Sequence, residues 1–177
     1  MKKYEFTGET KEIRLLFRTA TLHRIRATVA FGIVEVGDLG GWIEKEENLS
    51  HEGKAWVCGD AEVWGNAEVW GNAKVCGDAK VCGDAEVWGN AEVFSASHVL
   101  VIGAIGSRND FTTFYRDKDN EITVKCGCFL GKIDRFLEKV TQTHGDSKYA
   151  LVYRAAVEVA KLQIDLSGEA PKDADEE

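Results

Sequence analysis

Residues 53–94 read GKAWVC, GDAEVW, GNAEVW, GNAKVC, GDAKVC, GDAEVW and GNAEVF, which are seven consecutive units of six residues with no insertion. Each unit begins with Gly, keeps Ala at its third position and Val at its fifth, and ends in Trp, Cys or Phe. A short fixed period of this kind decides the architecture before the propensity of any single residue is considered. We call residues 53–94 the hexad segment and work outward from it.

The chemistry of one unit predicts a short strand followed by a corner. Ala and Val of the Ala-x-Val alternation point to one side of the chain, and the variable residue between them points to the other. Gly followed by Asp or Asn supplies the corner, because Gly tolerates positive φ and Asn or Asp accepts left-handed backbone at low cost. Three such sides and corners would close a triangular coil. Its inward positions are Val57, Val63, Val69, Val75, Val81, Val87 and Val93.

The pattern resembles that of the hexapeptide-repeat family, whose members fold as left-handed parallel β-helices. The resemblance implies three hexads per coil, so that residues eighteen apart in sequence would stack about 4.8 Å from each other. It predicts these stacks: Cys58 over Cys76, Trp70 over Trp88, Trp64 over Cys82, Glu62 over Lys80, and Trp56, Lys74 and Glu92 in one ladder. The predicted fold class is therefore mainly β. It consists of a short left-handed parallel β-helix of about three coils, an N-terminal β cap, and a C-terminal α+β cap made of a β-hairpin and two helices.

The sequence divides into four predicted segments. They are an N-terminal β cap (1–40), the left-handed β-helix (41–100), the C-terminal α+β cap (101–166) and a disordered acidic tail (167–177). In the C-terminal cap, Phe111–Arg116 and Glu121–Cys128 alternate as the strands of a hairpin. Apolar residues at helical spacing then predict one helix that ends at Gly145 and a second over residues 147–166.

A second resemblance precedes the repeat. Residues 37–57 read GDLGGWIEKEENLSHEGKAWV and are similar to the lead-in of a group of hexapeptide-repeat proteins from bacteria and their phages. The resemblance implies a phage-type protein, but that group offers no chemistry to transfer. Ile43 and Leu49 are six residues apart in this run, which predicts a degenerate first coil that closes the end of the apolar interior.

Composition limits the classes of partner. The net charge of −8 argues against duplex nucleic acid, since duplex binding requires a basic surface. The sequence contains no apolar run of eighteen residues and no signal peptide, so we predict a cytoplasmic protein without a membrane partner, located in the bacterial host if a phage encodes it. The five cysteines are open to two interpretations. Three share a column with Trp and Phe, which favours small buried hydrophobic residues over disulfides.

The family resemblance also implies activities that the residues can be tested against. Its best known members are acyltransferases, which use a His on the coil as general base, and carbonic anhydrases, which bind zinc through three His. The four His of this chain all lie outside the hexad segment, so we predict no metal site and no cofactor. His98, followed by His51, is the candidate for a transferase base. The variable position of His98 would instead point it outward as an ordinary surface residue.

The loop and hairpin after the hexad segment collect polar groups. They offer a Gly turn, hydroxyls, an amide, an aromatic ring and three cations. Such groups suit a phosphorylated sugar, because Arg binds phosphate through two parallel hydrogen bonds and Asn or Thr binds sugar hydroxyls. A polar hairpin exposed to solvent is the alternative. The candidate ligand-binding residues are Ser107, Arg108, Asn109, Thr113, Tyr115, Arg116 and Lys125.

The aromatic residues that end several hexads predict self-association. An outward column of large aromatic side chains on a small coil is typical of an interface. The predicted interface residues are Trp64, Trp70, Trp88 and Phe94, and the predicted assembly is a homotrimer.

Three functional hypotheses follow from these residues. The first is a non-enzymatic oligomeric binding protein that holds a small anionic, nucleotide-like ligand in pockets at subunit interfaces. The phage-type lead-in extends this hypothesis to a counter-defence protein that sequesters a nucleotide signal, by analogy alone. The second is an acyl-CoA-dependent acyltransferase, and the third is a structural or adaptor trimer without a ligand.

Overall fold

The computed structural model describes residues 2–167, so the predicted acidic tail lies outside the described residues except for Ser167. The strands are β1 (Tyr4–Arg14), β2 (Thr19–Ala27), β3 (Leu39–Ile43), β4 (Trp56–Val57), β5 (Glu62–Val63), β6 (Glu68–Val69), β7 (Lys74–Val75), β8 (Lys80–Val81), β9 (Glu86–Val87), β10 (Glu92–Val93), β11 (Val99–Ile105), β12 (Asp110–Arg116), β13 (Ile122–Cys126) and β14 (Phe129–Lys132). The helices are α1 (Ile133–His144) and α2 (Lys148–Gln163), with short 3-10 helices at Glu46–Asn48 and Ala96–His98.

Each hexad forms one strand of two residues, made of the variable residue and the Val that follows it. The Gly that opens each unit has φ between 63° and 73°, a conformation that Gly adopts without a Cβ clash. The seven Val side chains are at most 1 % exposed. Residues eighteen apart pair in parallel, which confirms these predicted stacks: Glu62 with Lys80, Trp56 with Lys74, and Lys74 with Glu92.

The predicted fold class is wrong. The structure contains four small sheets with both parallel and antiparallel pairing, together with two helices, where a helix-like coil of three turns was predicted. Strands β3, β5 and β8 share one five-stranded sheet with the antiparallel strands β1 and β2. The Gly corners limit each repeat strand to two residues. The long N-terminal hairpin pairs with the edge of β3, which would otherwise be an open strand edge. The repeat therefore contributes short parallel ladders to mixed sheets.

The N-terminal segment contains a tight turn and a closely packed strand. In the turn, Phe31 and Val34 exchange two backbone hydrogen bonds of 2.9 Å. The Gly-rich run that follows includes the start of β3. A Cβ on Gly40 would lie 2.5 Å from the Ile25 side chain and 2.7 Å from the Val57 carbonyl oxygen, so only Gly lets this strand pack so closely.

Two apolar cores meet at the C-terminal sheet. The first contains the Ala and Val side chains of the hexad segment, closed by Leu49 as predicted and by Tyr4. The second lies between the C-terminal sheet and the two helices. Strand β12 serves both, because Tyr115 packs in the first core and Phe114 packs in the second. The sheet order is β11-β12-β13-β14, which confirms the predicted hairpin with its two following helices as local elements.

Cys58 and Cys76 form a disulfide, so the interpretation of these two residues as small hydrophobic groups is wrong. The eighteen-residue pairing brings their Cα atoms to 4.5 Å, within the range that a disulfide requires. Cys82, Cys126 and Cys128 are free. Within residues 2–167, no helix has the length and apolar character needed to cross a membrane.

Candidate functional site

The structure divides the predicted ligand-binding residues among three places. Ser107 and Arg108 line an open cleft beside the helices. Asn109 is exposed in the same turn with φ 51°. The other four residues are Thr113, Tyr115, Arg116 and Lys125, and all four are buried elsewhere. The predicted set is therefore not one site.

Three of the buried residues attach the C-terminal sheet to the hexad segment. Thr113 Oγ1 accepts the Glu86 backbone N–H at 3.0 Å, and the Tyr115 hydroxyl donates to the Trp88 carbonyl oxygen at 2.9 Å. The Lys125 ammonium donates to the Glu86 carboxylate at 2.7 Å and lies 4.4 Å from the centre of a Trp88 ring. Burial raises the pKa of Tyr115, so its hydroxyl keeps its proton. These contacts are structural.

Arg116 occupies the third place. It is 5 % exposed, and its guanidinium carbon lies 5.9 Å from the centre of the Phe94 ring. Within the described part of the chain, its Nε and Nη1 atoms have no hydrogen-bond partner. Arg116 therefore lies beside the last hexad, and it does not line the cleft that Ser107 and Arg108 enter.

The candidate site is the cleft that Ser107 and Arg108 enter, with a volume of about 370 Å³. It lies between the β11–β12 turn, the β13–β14 turn and the two helices. We call it the C-terminal cleft. Its lining residues are Ser107, Arg108, Cys126, Cys128, Phe129, Phe136, Lys139, Val140, Thr143, His144 and Tyr153.

The β11–β12 turn is pressed against Tyr153 of α2. Gly106 has φ 73°, and a Cβ at this position would lie 2.0 Å from the Tyr153 hydroxyl oxygen. Only Gly therefore allows the turn to bring Ser107 and Arg108 to the cleft. Burial raises the pKa of Tyr153, and the neighbouring Cys126 thiol acts in the same direction while contact with Ser107 opposes it. The cleft thus presents Tyr153 as a neutral phenol at neutral pH.

Aromatic rings form the base and one side of the cleft. Phe136 and Tyr153 meet edge to face with their ring centres 5.6 Å apart. His144, the last residue of α1, stacks on Tyr153 with ring centres 5.8 Å apart and planes inclined by 28°. Phe129 packs against Phe136 at 5.3 Å. Flat, rigid side chains of this kind suit a planar ligand group.

The charged groups of the cleft are all potential cations. Arg108, Lys139 and His144 line it, and its described lining includes no carboxylate. Across residues 2–167, neither Arg108 nor Lys139 forms an ion pair. Anions prefer such a place, because the guanidinium and ammonium groups are not already neutralised.

Sequence reasoning missed four of the six polar side chains, other than cysteine, that line this cleft. The four are Lys139, Thr143, His144 and Tyr153, and they lie on helices that are predicted from apolar spacing alone. The spacing of Lys139 and Thr143, four residues apart on one helix, places both on the same face. That spacing was the one available signal.

The two candidate transferase bases lie outside the C-terminal cleft. His98 is 7 % exposed, and its Nδ1 accepts the Phe94 N–H at 3.1 Å. His51 Nδ1 accepts the Lys3 N–H at 3.1 Å, and its ring stacks on Tyr4 with centres 4.2 Å apart. Both imidazoles therefore hold backbone in place.

The predicted interface aromatics differ in exposure. Trp70 is 38 % exposed, and its ring centre lies 5.8 Å from that of Trp88. Trp64 and Trp88 are half-buried. Phe94 is 9 % exposed.

No protein-family model matches this chain, and no curated protein matches it either. The described residues also hold no group of three or more His, Cys, Asp or Glu side chains placed to bind a metal ion. Function is therefore argued from the geometry of the cleft.

Proposed function

We propose that this protein is a non-enzymatic binding protein that holds a small anionic, nucleotide-like ligand in the C-terminal cleft. One observation carries the proposal. Arg108, Lys139 and His144 surround a cleft of about 370 Å³ whose described lining has no carboxylate. A volume of this size lies within the range of small-molecule sites.

The chemistry of the lining matches the parts of a nucleotide. The Arg108 guanidinium can donate two parallel hydrogen bonds to a phosphate, and the Lys139 ammonium adds a point charge. The hydroxyls of Ser107 and Thr143 suit ribose, and the rings of His144 and Tyr153 offer faces to a base.

We extend the proposal to a homotrimer in which the ligand pockets lie at the subunit interfaces. The exposed indole of Trp70 supports self-association. The lead-in at residues 37–57 supports a phage origin, and with it a counter-defence role in which the protein sequesters a nucleotide signal in the host cytoplasm. That last step rests on analogy and on no contact in the molecule.

The acyltransferase alternative is weakened by the position of its base. A general base must reach the proton that it removes, whereas His98 is buried and uses Nδ1 to accept a backbone N–H. The structural or adaptor trimer stays as the alternative if the C-terminal cleft binds nothing.

A thermal-shift experiment with ATP, AMP and adenosine tests the proposal. We expect ATP and AMP to raise the melting temperature and adenosine to leave it unchanged, because the phosphate makes the charged contacts. Ligand at a hundred times its Kd stabilises the folded state by about 2.7 kcal/mol. Arg108→Ala should abolish the shift and leave the melting temperature of the free protein almost unchanged, since an exposed surface Arg contributes little to folding.

Arg135→Ala is the matched control, because Arg135 is an exposed Arg of α1 that does not line the cleft. An equal response to ATP in the Arg108 and Arg135 variants would remove the cleft from consideration. If the wild-type protein releases CoA from acetyl-CoA and His98→Gln abolishes that release, the transferase alternative is established instead.

A further inference from the structure

A second cleft lies against the hexad segment and shares no lining residue with the C-terminal cleft. It is bounded by the Phe31–Val34 turn and by the outward residues of the sheet that strands β4, β7 and β10 form. Its volume is about 210 Å³. We call it the hexad cleft. Its lining residues are Phe31, Gly32, Ile33, Val34, Lys54, Trp56, Cys58, Asn72, Lys74, Cys76, Glu92 and Phe94.

The walls of the hexad cleft are apolar and rigid. Phe31 and Trp56 meet edge to face with ring centres 5.4 Å apart, and Trp56 is only 6 % exposed. Phe94 contributes a third ring to the lining. The paired backbone hydrogen bonds between Phe31 and Val34 fix one wall. The disulfide between Cys58 and Cys76 fixes the neighbouring strands on the other.

The size of the hexad cleft limits what can occupy it. An apolar cavity of about 150 Å³ is large enough to bind benzene. A cleft of 210 Å³ therefore suits one aromatic ring or two fused rings. A long acyl chain or a whole nucleotide is too large to be enclosed there.

The polar groups of the hexad cleft add a charge preference. Its lining carries Lys54, Lys74 and Glu92, and none of them forms an ion pair with another residue of the range 2–167. Cations therefore outnumber anions around an aromatic slot.

We propose that the hexad cleft binds a small aromatic carboxylate, that is, one or two fused rings that carry a single carboxylate. The rings pack against Phe31, Trp56 and Phe94, and the carboxylate pairs with the ammonium of Lys74. This site is separate from the C-terminal cleft and does not depend on the function proposed for it.

A competing apolar occupant is the tip of the β1–β2 hairpin from a second copy of the chain. Leu16 and Phe17 are 88 % and 94 % exposed there. Arg14 stands beside them, so that the tip would bring a further cation to a cleft that already has an excess of positive charge, whereas Arg18 is already paired with the Glu44 carboxylate. Charge complementarity favours the carboxylate.

Titration calorimetry with 2-naphthoate tests the proposal, with 2-naphthamide as the uncharged analogue of the same shape. We expect saturable binding of 2-naphthoate and a loss of about tenfold or more in affinity for 2-naphthamide. Lys74→Gln should cost a similar factor, because it removes the partner of the carboxylate. Lys80→Gln is the matched control, since Lys80 occupies the same position of the next hexad and does not line the cleft.

Val34→Trp fills the hexad cleft and should abolish binding of 2-naphthoate. Absence of saturable binding to the wild-type protein at about 1 mM 2-naphthoate, a concentration that reveals even weak sites, would overturn the proposal. Equal affinities in the wild-type and Lys74→Gln proteins would also overturn it. If the wild-type protein is oligomeric and the Val34→Trp protein is monomeric, the cleft receives a second copy of the chain. That result overturns the proposal as well.

Discussion

Two histidines flank the hexad segment and are used in the same way. His51 precedes the first full repeat and His98 follows the last, and each accepts a backbone N–H through Nδ1 at 3.1 Å. Burial lowers the pKa of both imidazoles. A protonated Nδ1 cannot accept a hydrogen bond, so the fold requires both rings to be neutral.

The stability of the protein should therefore fall in mild acid. Burial and then the Arg116 charge lower the pKa of His98 below its usual 6.5, whereas Asp165 and Asp78 oppose the shift. Because the unfolded state binds the proton at higher pH than the folded state, this stability is present above pH 6.5 and is lost as the pH falls through the folded-state pKa. We expect the unfolding free energy, measured by urea titration, to decrease as the pH falls below 6.5.

His98→Gln should flatten that decrease in part, because His51 continues to contribute to it. His23→Gln is the control, since His23 lies on β2 with its ring stacked on Phe6 and far in sequence from the last hexad. The same pH slope in the wild-type and His98→Gln proteins would show that His98 does not titrate with folding.

The side-chain directions around the last repeat were only partly predictable from the sequence. Extending the six-residue register points His98 outward, but the 3-10 helix at Ala96–His98 breaks the register and turns the imidazole inward. Strand β12 alternates as predicted, but the sequence did not reveal that the hexad segment covers the face that carries Thr113 and Tyr115. Both differences arise from contacts between segments, which periodicity does not encode.

At the scale of elements, the repeat predicts its own pairing and little beyond it. The repeated hexads place residues eighteen apart in neighbouring strands, and the structure has that register. The sheets themselves depend on the hairpin of β1 and β2, which pairs with β3 and makes the largest sheet mixed. Because that pairing joins segments of unrelated composition, no period in the sequence predicts it.

Val75 tests the importance of the inward column. It is fully buried in β7, paired on one side with Val57 and on the other with Val93. Val75→Asp buries a carboxylate among apolar side chains, at a cost of several kcal/mol, so we expect insoluble protein. Val75→Thr keeps the volume and adds a hydroxyl, which should lower the unfolding free energy by about 1–3 kcal/mol in a urea titration.

Glu92→Gln provides the comparison for Val75, because Glu92 stands beside Val93 in β10 but points away from the core. It should leave the unfolding free energy within about 0.5 kcal/mol of the wild-type value. A soluble Val75→Asp protein with wild-type stability would show that the hexad column is not the core of the fold.

The C-terminal elements show the same division between local and long-range information. Helices α1 and α2 were predicted from apolar spacing, and Ile133, Phe136 and Val140 are buried as that spacing requires. The C-terminal cleft was not predicted, because it forms only where the β11–β12 turn meets Tyr153 of α2. Only Ser107 and Arg108 of the predicted set belong to it.

For the whole molecule, exposed apolar side chains mark the surfaces available for self-association. Trp70 keeps 38 % of its surface exposed beside the ring of Trp88. Phe94, in contrast, is buried, and the guanidinium of Arg116 approaches its ring. Aromatic anchors at the centre of an interface often contribute about 2 kcal/mol or more to association. The interface proposed for the trimer is therefore concentrated at Trp70.

Size-exclusion chromatography with light scattering tests this view at micromolar concentration. We expect the wild-type protein to have three times the mass of the single chain, and Trp70→Ser to shift the population toward monomer. A loss of about 1.4 kcal/mol at one interface weakens association tenfold, and a closed trimer repeats that loss at each of its interfaces. Leu162→Ser removes a side chain that is 89 % exposed on α2, outside the aromatic column, and should leave the mass unchanged. A monomeric wild-type protein would contradict the trimer, and a trimer retained in Trp70→Ser would move the interface elsewhere, with Leu16 and Phe17 as the next residues to change.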